Sequence, residues 1–369
     1  MAYFKNPCLL RIRPDVQAMH AYVVQPADGM VKLDAMENPH RLAPQLQAEL
    51  GQRLGAVALN RYPGQRTVDL QQALARYAGL PEGFALMLGN GSDELISLLA
   101  LACSVPPTAA NGFKKAVVLA PEPGFVMYAM SAQLQGLGYV GVPLTPDFEL
   151  DTPAMLSAIA SHNPAITYLA YPNNPSANLW ADDAMDALIA AAGAQGGLVV
   201  IDEAYQPFAA KTYIDRIVRY PHVLLLRTLS KFGLAGVRLG YLIGPQALIA
   251  QIDIVRPPYN VSVLNAEAAL FALENQATFK AQALDICAQR ALLLEALPKL
   301  PGVQVFPSQA NMILLRVPDA QKTFDDLKQR GVLVKNVSKM HPLLNNCLRL
   351  TVGTAPENRQ LLAALEASL

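Results

Sequence analysis

The chain has 369 residues, carries 29 basic and 29 acidic side chains, and is 52% hydrophobic. That length and apolar content provide for two domains, or one large domain with an appendage, around a sizeable core. Zero net charge argues against a nucleic-acid or membrane-surface protein, which would carry a basic excess.

In chain order, the residues up to about 55 include Pro7, Pro14, Pro26, Pro39 and Pro44 and predict an extended arm with a short helix. The first residues show no basic stretch followed by an apolar run and cleavage site. No apolar run reaches the roughly 18 residues of a spanning helix. The expectation is a soluble, cytoplasmic protein. The middle of the chain alternates short apolar runs with Ala/Leu-rich stretches. Strands are expected at 116–120, 166–170, 198–201, 223–227 and 239–243, and helices near 93–103, 126–135, 181–192 and 246–255. Strands apolar on both faces, separated by helices, predict a mainly parallel sheet covered on both sides. After about 262 the pattern changes to a long helical stretch, 265–297, then a strand at 311–317 and a helix at 320–330. Two strands, 332–336 and 347–352, and a closing helix from Glu357 complete it. The expected fold class is α/β: a large domain over 56–261 with a mainly parallel central sheet covered by helices. A smaller α+β domain is expected from both chain ends, 1–55 and 262–369.

Cys8, Cys103, Cys287 and Cys347 form no CxxC pair, and none stands at metal-ligand spacing from a histidine. Reduced thiols and no metal site are expected. Gly136, Gly138 and Gly141 match GxGxxG. A dinucleotide fingerprint needs a strand before it and a helix after it. Here a helix precedes it and a strand at 139–144 is expected to follow, so no dinucleotide site is expected.

Ligands of open α/β sheets bind at the carboxyl ends of the strands. The residues at those ends are polar here: Tyr171-Pro172-Asn173-Asn174-Pro175, Asp202-Glu203-Ala204-Tyr205, Thr228-Leu229-Ser230-Lys231 and Gly236-Val237-Arg238. Gly89-Asn90-Gly91-Ser92-Asp93-Glu94 precedes an apolar helix. A glycine turn entering a helix offers unpaired N–H groups and the positive end of the dipole to an anion. Gly91, Ser92 and Asp93 can therefore hold a phosphate, with Ser230 adding a hydroxyl and Arg238 a guanidinium. Asp202 can keep a pyridine nitrogen protonated, which makes the ring an electron sink. Lys231 can form an imine and shuttle a proton between two carbons. Alone, each piece has a plainer reading, such as a turn with an N-cap, a solvated carboxylate or a packing tyrosine. Their common location at strand ends points to pyridoxal phosphate.

With these motifs the chain resembles the fold-type I pyridoxal-phosphate aminotransferases and, within them, the histidinol-phosphate aminotransferases, over roughly 33–357. Further motifs carrying the likeness are Met-Glu-Asn-Pro (36–39), Asn-Arg-Tyr-Pro (60–63), Gly-Val-Arg-Leu-Gly (236–240) and Cys-Leu-Arg-Leu-Thr-Val-Gly-Thr (347–354). The resemblance implies a transferase-type large domain and transamination between histidinol phosphate and 2-oxoglutarate. It implies Lys231 as the Schiff-base lysine, Asp202 as partner of the ring nitrogen, and Asn174 and Tyr205 as partners of the ring hydroxylate. Phe125 would stack on the ring, and Ser92, Asp93, Ser230 and Arg238 would cradle the phosphate. Tyr62 would reach the cofactor phosphate of a neighbouring subunit, which requires a homodimer. Arg349 would bind the anionic end of the substrates, with Lys335, Tyr22 and Asn174 also lining the substrate side. Some residues depart from the family pattern. Pro-Glu-Pro-Gly-Phe (121–125) replaces a Pro-Thr-Tyr type, and His40-Arg41-Leu42 a Tyr-Gly-Pro type. Lys335 stands where a second arginine is frequent, keeping the charge but losing the fork. An aromatic or broad-specificity aminotransferase and a threonine-phosphate decarboxylase are competing readings on the same scaffold.

Overall fold

The computed structural model describes residues 7–19, 25–105 and 114–369. A short helical turn (Pro7–Arg11), α1 (Pro14–Gln17) and the strand β1 (Val31–Lys32) come first. Then follow α2 (Pro44–Gly55), begun by a proline that needs no N–H partner there, and α3 (Gln65–Ala78), ended by Gly79 at φ +68°. From Phe84 strands and helices alternate: β2 (Phe84–Gly89), α4 (Gly91–Cys103), β3 (Val117–Glu122), α5 (Met127–Leu134), β4 (Gly138–Pro143) and α6 (Thr152–His162). Next come β5 (Ile166–Ala170), α7 (Asp182–Ala194), β6 (Leu198–Asp202), β7 (Val223–Thr228), β8 (Gly240–Pro245) and α8 (Gln246–Asp253). Gly138 and Gly141 lie inside β4, so the GxGxxG stretch is a helix-to-strand turn.

The seven strands form one sheet in the order β2-β8-β7-β6-β5-β3-β4. Pairing is parallel from β7 through β4, and β8 alone runs against both its neighbours. Every residue of β5 and β7 is buried, because helices cover both faces. On one side α4, α5 and α8 pack against the sheet. On the other, α3, α6 and α7 do so, together with α9 (Val263–Glu274).

The expected single helix over 265–297 is two, α9 and α10 (Gln276–Ala296), broken at Asn275. The Asn275 amide donates to the carbonyl of Phe271 at 2.9 Å, so a side chain competes with the helical ladder there. α9 packs on α3 and α2 and belongs to the large core, whereas the inner face of α10 enters a second core. That second core is built on β9 (Gln304–Val305), β10 (Met312–Arg316), α11 (Ala320–Gln329), β11 (Val332–Leu333), β12 (Lys335–Asn336), β13 (Cys347–Thr351) and α12 (Ala355–Glu366). An antiparallel sheet of order β12-β13-β10-β9 lies within it. The run expected as one strand, 332–336, divides at Val334 because β11 pairs in parallel with β1 while β12 pairs with β13.

Just past β6, Glu203 is buried and faces Arg227 of β7 at 2.8 Å. It also accepts from the Thr212 hydroxyl at 2.9 Å and the Tyr213 amide at 2.6 Å. Removing one member of such a pair strands the other's charge in the interior. Glu203→Ala is expected to cost about 3–5 kcal/mol, seen as a lower urea midpoint at unchanged slope.

Candidate active site

The ends of β5, β6 and β7 and the first turn of α4 open together on a cavity of about 920 Å³. Residues of β12 and α11 close it from the second core. A parallel sheet offers its ligand space at this position, where strands end and helices begin.

Asp202 terminates β6 and is buried. One carboxylate oxygen accepts from the Tyr128 phenol at 2.6 Å, the other from the Ala204 amide at 3.0 Å. Burial first, then the two hydrogen bonds that oppose it and the charges of Asp93 and Glu203 that add to it, leave the carboxyl raised to about 6. It is therefore charged at neutral pH.

Lys231 follows β7 in a widened helical turn, Ser230–Leu234, interrupted at Gly233 by a φ of +136°. Its Nζ donates to the carbonyl of Ala35 at 3.1 Å and lies 5.9 Å from the centre of the Tyr205 ring. Burial, and next the positive charge of Arg349, draw the amine down to about 8. A sizeable neutral fraction, the nucleophilic form, thus exists near neutrality. The Ala35 carbonyl is fixed by its neighbour Met36, held at φ +53°. The Met36 amide donates to the Thr351 hydroxyl and its carbonyl accepts from Asn311, both at 2.9 Å.

Across the cavity, α4 starts at Gly91 with φ +80° and has Ser92 and Asp93 in its first turn. β8 crosses close behind: a Cβ on Gly240 would lie 2.7 Å from the Gly91 carbonyl carbon and 2.8 Å from the Ser92 nitrogen. Only glycine permits that approach. Arg238 reaches over the turn, donating to Asp93 at 3.1 Å, with Ser230 at 3.5 Å. Helix-end amides, a hydroxyl and a guanidinium converge here, which is the chemistry of a phosphate site.

Between these groups lie Phe125, Asn174 and Tyr205 on the cavity wall. Asn174 accepts from Arg349 at 2.7 Å, and Arg349 also donates to the Asp34 carbonyl at 2.8 Å. Lys335 stands opposite Arg349 in the β12–β13 register. An amine, a buried carboxylate and an anion cradle around one cavity are thus in place, and the sequence as a whole decides the family. The aminotransferase class I and II family model matches residues 28–365.

This chain belongs to the class I and II aminotransferases.

Its similarity to curated members of that family extends nearly end to end. It is 70% identical over 358 residues to a histidinol-phosphate aminotransferase of Polaromonas naphthalenivorans (strain CJ2), covering 97% of this chain and 96% of that one. It is 67% identical over 358 residues to one of Methylibium petroleiphilum, covering 97% and 94%. Among solved structures, the histidinol-phosphate aminotransferase of Sinorhizobium meliloti in complex with pyridoxal-5'-phosphate superposes with a TM-score of 0.83 at 26% identity, covering 97% of both chains. The histidinol-phosphate aminotransferase of Clostridium acetobutylicum gives 0.81 at 21% identity over 92% of this chain and 98% of that one, a likeness of fold.

In this aminotransferase the cavity gathers most of the residues singled out from the sequence. Ser92, Asp93, Phe125, Asn174, Asp202, Tyr205, Ser230, Lys231, Arg238 and Lys335 all line it. Gly91 lies beneath Arg238, and Arg349 is buried behind Asn174. Tyr62 stands apart, exposed and stacked on Tyr259 with ring centres 4.2 Å apart. Tyr22 lies outside the described residues. Two contributors escaped the sequence reading. Tyr128 was hidden as an apparent core aromatic, although its position three residues after Phe125 puts both on one side of a helical turn. Ala35 acts through its backbone, for which side-chain chemistry gives no signal. No helix among the described residues is long and apolar enough to cross a membrane. No cluster of three or more metal-ligating side chains occurs among them either.

Proposed function

We propose that this aminotransferase interconverts histidinol phosphate and 2-oxoglutarate with imidazole-acetol phosphate and glutamate, using pyridoxal phosphate, as a cytoplasmic homodimer. The near-complete 70% identity to an enzyme named for histidinol phosphate carries the choice of substrate. The residues present fit the cofactor: an aldehyde needs the depressed amine of Lys231, a ring nitrogen the buried carboxylate of Asp202, and a phosphate the turn at Gly91. In this reading Ser92, Asp93, Ser230 and Arg238 hold the phosphate, Phe125 covers the ring, and Asn174 and Tyr205 take the ring hydroxyl. When bound, pyridoxal phosphate supplies an aldehyde that carries the amino group and a ring that accepts the electron pair left when the substrate Cα–H bond breaks.

The chain's own residues do the rest. Lys231 takes the proton from the substrate Cα and returns it one carbon along. Asp202 keeps the ring nitrogen protonated. Arg349 presents a fork to a carboxylate or a phosphate, so one site serves both substrates in turn. Lys335 adds positive charge on the same side, and Tyr22 and Asn174 complete the substrate wall. Tyr62, exposed in the single chain, reaches the cofactor phosphate of the second subunit.

Purified protein is tested with histidinol phosphate plus 2-oxoglutarate, beside phenylalanine and threonine phosphate as competing amino donors. Glutamate formed fastest by far with histidinol phosphate supports the reading, and equal or greater turnover of either competitor overturns it. The acidity of Lys231 gives a second expected result. The rate at which apoprotein captures pyridoxal phosphate falls about tenfold per pH unit below about 8 and is level above it, because only the neutral amine attacks. Stopped-flow absorbance across that range reads it directly.

A further inference from the structure

We propose that Tyr128 is a positioning residue for the reaction: its phenol fixes the orientation of the Asp202 carboxylate and keeps it charged toward the cofactor ring. This rests on the reading of Asp202 given above. The phenol donates to Asp202 over 2.6 Å, the distance of a charge-assisted bond from a hydroxyl to a carboxylate. Its ring is clamped on two sides. It stacks on Tyr168 with centres 4.2 Å apart and planes 7° from parallel, and meets Phe125 edge-on at 5.7 Å. Both stacked tyrosines are almost wholly buried. A hydroxyl carried on so constrained a ring has one direction in which to donate. It also remains a donor, because burial first and the Asp202 charge second hold its proton on.

The arithmetic of lone pairs agrees. A carboxylate accepts about four hydrogen bonds. Tyr128 and the Ala204 amide each take one site on a different oxygen, which leaves one more on each for a ring N–H in the cavity that Asp202 lines. The other titratable groups that bear on Asp202 are Asp93 of α4, Glu203, Tyr168 of β5 and Tyr205. Asp93 is paired with Arg238 and Glu203 with Arg227, and both tyrosines are neutral, so Tyr128 is the side-chain donor that opposes the burial of this carboxylate.

Tyr128→Phe removes the hydroxyl and keeps the stacked ring. Apoprotein of each form is titrated with pyridoxal phosphate from about pH 5.5 to 9. The expected dissociation constant at about pH 8.5 lies within threefold of the native one. Beyond the loss below about pH 8 that both forms share through Lys231, the limb where affinity is lost as Asp202 takes a proton moves up by about one unit, giving about fivefold weaker binding near pH 6. A role in packing alone would change the melting temperature and leave the limb where it was. Should the phenylalanine form fold poorly, 3-fluorotyrosine at position 128 keeps the shape and strengthens the donor, and the limb then moves down. An unmoved limb in a folded variant overturns the proposal. Asp202→Asn separates the two levels. If it loses affinity across the range while Tyr128→Phe follows the native profile, only the role of Tyr128 falls. If it binds as the native protein does, the reading of Asp202 falls and the role of Tyr128 with it.

Discussion

Replacing Lys231 with alanine is expected to lower kcat on the order of 10⁴-fold, the upper end of what a positioned acid–base group contributes. Two losses combine. The amine placed against the Ala35 carbonyl, beside the Tyr205 ring, disappears, and with it the covalent hold on the cofactor. The proton carrier between the two reacting carbons disappears as well, leaving water to do the work in a cavity lined by Phe125, Tyr128 and Tyr205. Binding need not collapse, because the turn at Gly91 with Ser230 and Arg238 is independent of the amine. Slow, stoichiometric half-reactions with glutamate, restored in part by small exogenous amines, are the expected signature. Borohydride reduction of native holoprotein should label the peptide containing Lys231, and the alanine form should take no label. An alanine form with near-native turnover refutes the assignment of this residue.

The second large effect belongs to Arg349. It is buried, bonds Asn174 and the Asp34 carbonyl, and contributes to the depressed pKa of Lys231. Arg349→Met should lower kcat/KM on the order of 10²–10³-fold for the amino donor and the oxo acid alike, since each loses a charged, forked contact. A second consequence separates loss of binding from general damage. Arg349 disfavours a proton on Lys231, so its removal lets the amine rise from about 8 toward its ordinary value. The limb of apoprotein capture governed by the neutral amine should shift to higher pH in the variant. Loss of kcat/KM for one substrate only, or an unshifted limb, contradicts this account.

The parts of the fold most legible in the sequence are those where one physical requirement fixes residue choice. β5 has the bounds its sequence predicts, Ile166–Ala170, because a strand buried on both faces is mostly apolar, Thr167 notwithstanding. β6 runs one residue further than its apolar run, since Asp202 is paired through its backbone to both Ala170 and Leu226 while its side chain turns to the cavity. The antiparallel course of β8 was invisible, because a buried run reads the same in either direction. β1 and β9 are too short to leave a periodic trace. At the site the same division holds. Charged and glycine-rich residues at strand ends were conspicuous, since a buried charge needs a reason. The phenol of Tyr128 and the carbonyl of Ala35 were not, one disguised as core and the other carried by backbone.

The pairing of β1 with β11 joins Val31–Lys32 to Val332–Leu333. The segment that supplies the acceptor for Lys231 is thus made among the first residues and finds its sheet partner among the last. During synthesis from the N-terminus, the segment that leads into Ala35 lacks its sheet partner until residues 332–333 have emerged. The nascent sheet of the larger core can assemble before this, but the wall over the lysine closes only once β11 is free to pair. Competence to capture an aldehyde should therefore require residues through 333, and ribosome-bound nascent chains arrested before residue 332 should lack it.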